Sequence, residues 1–267
     1  MSERFIFGVP LIARDSTDDW PLVEHLFALT LRSVLAQSDP DFLLILAAHD
    51  VPAAWARVAD DPRFVLLRAD WPPTPPTPAN DDGDAKKSLI KERVRALGGG
   101  LLMFLDADDW VSGDLVATAR AGIGPADAGA LLANGFALDH ASLRLSPFPI
   151  ARAFDGLFHR LCGSSTIGRV DPASDDPVAR DPHDALGSHH DWGERALNLG
   201  VSLAQLDARG VYMVGTGQNH SERQGPFAEW RREVTRIVRD HGTPLDEELA
   251  EAFGQRLADI GDRSKVR

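Results

Sequence analysis

Leu101-Leu102-Met103-Phe104-Leu105-Asp106-Ala107-Asp108-Asp109-Trp110 is the stretch that decides how this chain folds. Five apolar residues follow Gly98-Gly99-Gly100 and stop abruptly at three carboxylates. A short, uninterrupted apolar run bounded by glycines is the pattern of a strand buried on both faces, as in a parallel sheet. In open α/β sheets, ligands bind just beyond the carboxyl ends of the strands, which is where Asp106 and Asp108 fall. Residues two apart in extended chain point the same way, so both carboxylates can reach one centre. Two negative charges held that close are costly unless a cation lies between them. A hard divalent ion such as Mg²⁺ or Mn²⁺ suits carboxylate oxygens. The plainer alternative is an acidic loop in which Asp109 or Ser112 caps the helix that follows.

Outward from this stretch, the preceding residues alternate between strand and helix patterns. Arg4 to Leu11 reads as a first strand that stops near Pro10. Trp20 to Gln37 has apolar residues at helical spacing, with Asp18 or Asp19 as cap and Pro21 in the first turn. Asp41 to Ala48 is a second buried strand ending at His49-Asp50, Pro52 to Ala59 a short helix, and Arg63 to Leu67 a third strand. The order β-α-β-α-β predicts a parallel sheet. Trp71 to Asp84, rich in proline and polar residues, is excluded from helix and central strand and is expected to be a loop beside the site. Ala85 to Leu97 is a predicted helix on which Lys87, Lys91 and Arg95 share one face. That face is either solvated or turned towards a phosphate.

Beyond the acidic motif the pattern is less regular. A helix is predicted at 114–121, a strand at 129–133, and a hairpin over 136–145 with its turn at Asp139-His140-Ala141-Ser142. Residues 161–168 form a strip of small and hydroxyl-bearing side chains around Cys162, whose context is that of a buried thiol rather than a nucleophile. Residues 171–187 read as a loop. His189-His190-Asp191 opens a helix that ends near Gly200, and lacks the i, i+4 spacing of a helical zinc site. Asp191 there is a helix cap or a general base. Two strands, 201–205 and 211–214, precede a loop carrying His220, and two amphipathic helices, 227–241 and 245–260, close the chain.

Composition narrows the function classes. The chain has 267 residues with 43% hydrophobic and 25% charged content, which is ordinary for a globular protein. No apolar run approaches the ~20 residues of a membrane span. Met1-Ser2-Glu3-Arg4 does not have the layout of a signal peptide. A single cysteine leaves no internal disulfide and fits a cytoplasmic location. A formal net charge of −12 argues against nucleic acid as a partner, so any phosphate ligand calls for a metal ion or a local cluster of cations.

These features together resemble the GT-A glycosyltransferases, especially the inverting family-2 type. The likeness is carried by the strand at Phe7–Leu11, Thr30-Leu-Arg-Ser-Val-Leu-Ala-Gln37, Asp50, Lys87, Lys91, Phe104-Leu-Asp-Ala-Asp-Asp109, Asp191 with Arg195, and Asn219-His220-Ser221. The resemblance implies an α/β fold with a mixed, mainly parallel sheet flanked by helices. It implies a transferase domain over 1–222, divided near 110 into nucleotide-binding and acceptor halves, and a helical extension over 223–267. It further implies that Asp106, Asp108 and His220 bind Mn²⁺ or Mg²⁺ against a nucleotide-diphosphate sugar, a UDP-sugar first. Pro10, Leu11, Asp50, Lys87, Lys91, Asp106 and Ala107 would bind that donor, and Asp191 would take the proton of a saccharide or lipid-linked acceptor. The sequence departs from the family where Ile90-Lys91 replaces an Arg-Asn pair and where His-His precedes Asp191. Two rival classes stay open: a nucleotide- or glycan-binding protein without catalysis, and a phosphatase using the Asp-x-Asp motif; a nucleotidyltransferase would make a similar sheet, but Val9-Pro10-Leu11-Ile12 stands where its Gly-rich, basic loop belongs. The phosphatase motif wants Thr or Val where Trp110 stands.

Overall fold

The computed structural model describes residues 3–75 and 77–261. Met1, Ser2, Pro76 and residues 262–267, which belong to the expectations for the N-terminus, the Pro-rich loop and the C-terminal extension, lie outside the described residues.

The first half is built as its patterns predict. Strands β1 (Phe5–Pro10), β2 (Phe42–Ala48) and β3 (Phe64–Arg68) are parallel neighbours, with helix α1 (Trp20–Leu35) between the first two. The Asp19 side chain caps α1 by accepting from the Leu22 amide, and Pro21 sits in its first turn. Helix α2 (Asp81–Ala96) then crosses back, and β4 (Gly100–Phe104) pairs with the other edge of β1. The order β4-β1-β2-β3 makes β1 the strand where chain direction across the sheet reverses. Such a switch point leaves a crevice at the carboxyl ends of β1 and β4. The turn into β4 explains the glycine run. Gly99 has φ +88, and a side chain there would collide with the Val170 carbonyl.

The second half widens the same sheet. The short strand β5 (Trp110–Val111) and helix α3 (Leu115–Gly122) lead to β6 (Asp127–Asp139), β7 (Arg144–Pro147) and β8 (Thr166–Val170). Short helices α4 (Pro177–Arg180) and α5 (Pro182–Leu186) and helix α6 (Trp192–Leu199) precede β9 (Ser202–Val214). The sheet continues β4-β8-β6-β7, with β9 parallel to β6 and antiparallel to β5. It is a mixed sheet in which parallel pairings carry most of the paired residues. The chain closes with α7 (His220–Arg223), α8 (Ala228–His241), β10 (Thr243–Pro244), α9 (Glu247–Ala252) and α10 (Leu257–Ile260).

Several local expectations are corrected. Residues 127–139 and 202–214 are two long strands rather than pairs of short ones, and they run together with register irregularities near Asp127–Ala130 and Leu132–Asn134. Such irregularities interrupt the alternation that would mark one strand. The predicted loop at 171–187 holds α4 and α5, each started by proline with an aspartate cap. The predicted helix over 245–260 is two short helices, broken at Gly254 with φ +67.

Apolar side chains fill both faces of the sheet. On one, Phe5, Phe7, Leu44 and Met103 pack against α1, and the same core extends through Trp110 to Phe253 and Ile260 at the C-terminus. On the other, Ile6, Ile45 and Leu102 pack against Ile90 and Val94 of α2. Among the described residues no helix is long and apolar enough to cross a membrane.

Candidate functional site

A cavity of about 300 Å³ occupies the crevice at the switch point. Pro10, Leu11 and Ile12 form its wall at the end of β1, and Asp106, Ala107 and Asp108 its floor beyond β4. Asn80, Asp82, Lys86 and Lys87 come from the start of α2, Gln218 to Ser221 from the loop after β9, and Arg231 from α8. Leu161, Gly163, His189 and Tyr212 line the side away from β1.

The acidic turn is held rigidly by its third carboxylate. The Asp109 side chain is buried and accepts from Ser164 Oγ at 2.7 Å, the Met213 amide at 2.9 Å and the Cys162 thiol at 3.3 Å. Ser164 Oγ in turn accepts from the Asp106 amide at 2.8 Å. The small, hydroxyl-bearing strip at 161–168 is therefore the clamp on the motif. Cys162 is a buried donor in that clamp, and burial together with Asp109 pushes its thiol well up. Burial, with Asp106 nearby, also raises the Asp109 carboxyl to about 7. Asp108 is raised well above the ordinary carboxylate range by enclosure first and then by Asp109 and Asp106.

Two neighbouring carboxylates, Asp108 and Asp109, whose charged forms are disfavoured beside Asp106, suit a cation nearby. Among the described residues no three His, Cys, Asp or Glu side chains converge closely enough to hold a metal unaided. The donor set that fits is one or two carboxylates, with the remaining ligands from phosphate oxygens and water, a common arrangement for Mg²⁺. Metal affinity is then expected to rise with pH, because a proton on Asp108 competes with the ion until that carboxylate ionises. The stabilisation by Mg²⁺ plus a nucleoside diphosphate should grow as pH rises and Asp108 gives up its proton. A thermal-unfolding series that gives the same shift throughout would contradict a carboxylate-bound ion.

Of the residues singled out from sequence, Pro10, Leu11, Lys87, Asp106, Ala107, Asp108 and His220 all line this cavity. Lys87 also lies 5.8 Å from the centre of the Phe104 ring. His220 is the first residue of α7, directly after the Asn219 cap. Burial lowers its pKa, opposed by Asp106 and Asp84.

Three others stand elsewhere. Lys91 pairs with Asp184 at 2.5 Å and Asp181 at 3.3 Å, and Arg95 pairs with Asp181. The shared basic face of α2 therefore divides: its N-terminal end reaches the cavity and the rest meets α5. Asp50 accepts from the Arg14 amide at 2.8 Å and shapes the loop after β1, outside the lining. Asp191 is not among the lining residues. It lies 3.4 Å from His190, and its side chain makes no capping bond to α6.

Among the cavity residues that the sequence does not single out are Lys86, Arg231 and Tyr212, with His189 as a lining residue. Lys86 is almost fully buried and donates to the Leu11 carbonyl at 2.6 Å and Asp82 at 2.5 Å, its pKa lowered chiefly by burial. Its only sequence signal is the i, i+4 spacing from Asp82. Arg231 donates to the Leu161 carbonyl and Tyr212 hydroxyl at 3.1 and 3.0 Å, adding a cation to a cavity in an acidic protein. Tyr212, raised by burial, also accepts from Asn219 at 3.1 Å. In sequence His189 reads only as part of a pattern that fails for zinc, yet it is in the lining.

No family model matches this chain, and no curated protein matches it. Solved structures do. A 4-diphosphocytidyl-2C-methyl-D-erythritol synthase aligns with a TM-score of 0.39 and 11% identity over 89% of this chain and 99% of its own. A provisionally assigned nucleotide-diphospho-sugar transferase from Desulfovibrio desulfuricans G20 aligns with a TM-score of 0.39 and 12% identity over 92% and 100%. The glycosyltransferase GlyE of Streptococcus pneumoniae TIGR4 aligns with a TM-score of 0.33 and 11% identity over 93% and 46%.

Proposed function

We propose that this chain is a metal-dependent glycosyltransferase, which moves a sugar from a nucleotide-diphosphate donor to an acceptor hydroxyl in the making of a surface polysaccharide or glycoconjugate. The observation that carries the proposal is the placement of the Asp106/Asp108 turn and two lysines around one crevice at the switch point of the sheet. Asp106 and Asp108 would hold Mn²⁺ or Mg²⁺. That ion supplies charge neutralisation for the departing diphosphate. Lys87, and Arg231 from the opposite wall, add fixed positive charge where negative charge develops. Pro10, Leu11 and Ile12 give an apolar wall for the base or ribose. Asp109, Ser164 and Cys162 keep the motif in place, so no reorganisation is needed on binding.

The test is a thermal-shift screen of UDP, GDP, CDP and dTDP with and without Mn²⁺, followed by assays of the matching nucleotide-sugars. A ligand that binds only the folded state at about 100 times its Kd adds about 2.7 kcal/mol. One nucleotide is expected to raise the midpoint, and only with the metal present. Release of phosphate from simple phosphomonoesters, with no nucleotide effect, would instead make the protein a phosphatase.

A further inference from the structure

We infer that His189, rather than Asp191, is the group that takes the proton from the attacking hydroxyl, an inference that rests on the glycosyl-transfer reading above. His189 lines the cavity that holds Asp106 and Asp108. Its Nδ1 lies 2.7 Å from the carbonyl oxygen of His159. A carbonyl can only accept, so Nδ1 carries the hydrogen and Nε2 of the neutral ring keeps its lone pair. Among the described residues Nε2 has no hydrogen-bond partner. The tautomer is thus set from behind, in the manner that fixes a catalytic histidine's orientation.

The position suits an acceptor. A methyl group built on Gly163 would sit 3.3 Å from Asp106 Oδ2 and 3.9 Å from His189 Cδ2, the ring carbon next to Nε2. Gly163 therefore lies between the proposed metal ligand and the imidazole and puts no side chain of its own in the gap. His189 stands with Leu161 and Tyr212 on the side of β4 away from β1, whereas Leu11 and Lys86 line the opposite side. A donor with its nucleotide against β1 and its diphosphate at Asp106 presents its sugar towards His189. Asp191, two residues on, lies outside the lining beside His190.

The step balances without any further reagent. The acceptor oxygen forms a bond to the anomeric carbon, and its proton passes to His189 Nε2. The bond from that carbon to the β-phosphate oxygen breaks, and its electron pair leaves with the nucleoside diphosphate. The imidazolium, held by the His159 carbonyl but disfavoured by burial, which lowers the ring to about 4, then returns its proton to solvent. Water can take the place of the acceptor, so donor hydrolysis reports the same step.

The experiment measures Mn²⁺-dependent hydrolysis of whichever UDP-, GDP- or dTDP-hexose the wild type turns over fastest. His189→Gln and His189→Ala are expected to lower kcat by roughly 10²–10⁴-fold. The midpoint shift given by the corresponding nucleoside diphosphate with Mn²⁺ should stay as in the wild type, which shows that the variants are folded and bind donor. Added imidazole should restore part of the rate to His189→Ala, which a structural role would not allow. Turnover within about threefold of wild type in both variants would overturn the role of His189, since general catalysis is worth far more. So would loss of turnover in Asp191→Asn with His189→Gln still active. A wild type that binds a nucleoside diphosphate but turns over no donor would overturn glycosyl transfer itself, and the role of His189 with it.

Discussion

Replacing Asp108 by Asn is expected to weaken Mn²⁺-dependent nucleotide binding at least about 100-fold, or about 2.7 kcal/mol. The size follows from the donor set. If only two carboxylates of the chain reach the ion, removing one leaves the metal with a single protein ligand and the nucleotide with a poorly held bridge. The same substitution should make the unliganded protein more stable at neutral pH. Asp108 is enclosed beside Asp106 and Asp109, and its charged form is disfavoured by all three circumstances. An amide keeps the shape and removes the charge. Isothermal titration with nucleotide and Mn²⁺, together with denaturant unfolding without them, reads both effects. Nucleotide affinity equal to wild type with Mn²⁺ present would remove Asp108 from the site.

The largest structural effect is expected one strand further on. Trp110 is fully buried in β5, next to Phe253 from the C-terminal segment, and its backbone pairs with Val211 of β9. Trp110→Ala should cost about 3–5 kcal/mol, the range for emptying an aromatic site in a core. Trp110→Phe should cost clearly less. It retains most of the packing and removes an indole N–H that lacks a partner among the described residues. Because Asp109 is the residue just before it, the alanine variant should also loosen the acidic turn and lower nucleotide affinity. Urea midpoints within measurement error of the wild type would show that the C-terminal segment does not depend on this contact.

How far the molecule can be read from its sequence depends on which interactions are local. The buried run at 101–105, the Asp19 cap and Pro21 of α1, and the β-α-β order are set by neighbours in sequence, and each appears where its pattern places it. Helical spacing likewise shows that Lys87, Lys91 and Arg95 share a face. What that face meets is decided by α5, more than 80 residues later, whose Asp181 and Asp184 claim two of the three. The inverse holds for Lys86, which spacing assigns to no site but which tertiary packing buries under the Leu11 carbonyl. Asp191 and His189 differ by two positions in a tight turn, and only the fold shows that the histidine is the one at the cavity. Cys162 and Ser164 look like part of a featureless strip until Asp109 is seen to need donors from it.

The most direct measurement is a crystal structure with Mn²⁺ and the nucleoside diphosphate selected by thermal shift, phased to show manganese by its anomalous signal. The account predicts one strong peak within bonding distance of the Asp106 and Asp108 carboxylates, bridged by diphosphate oxygens, with the nucleoside against Pro10 and Leu11. A nucleotide bound elsewhere, or in this cavity with no metal at these two carboxylates, would contradict it.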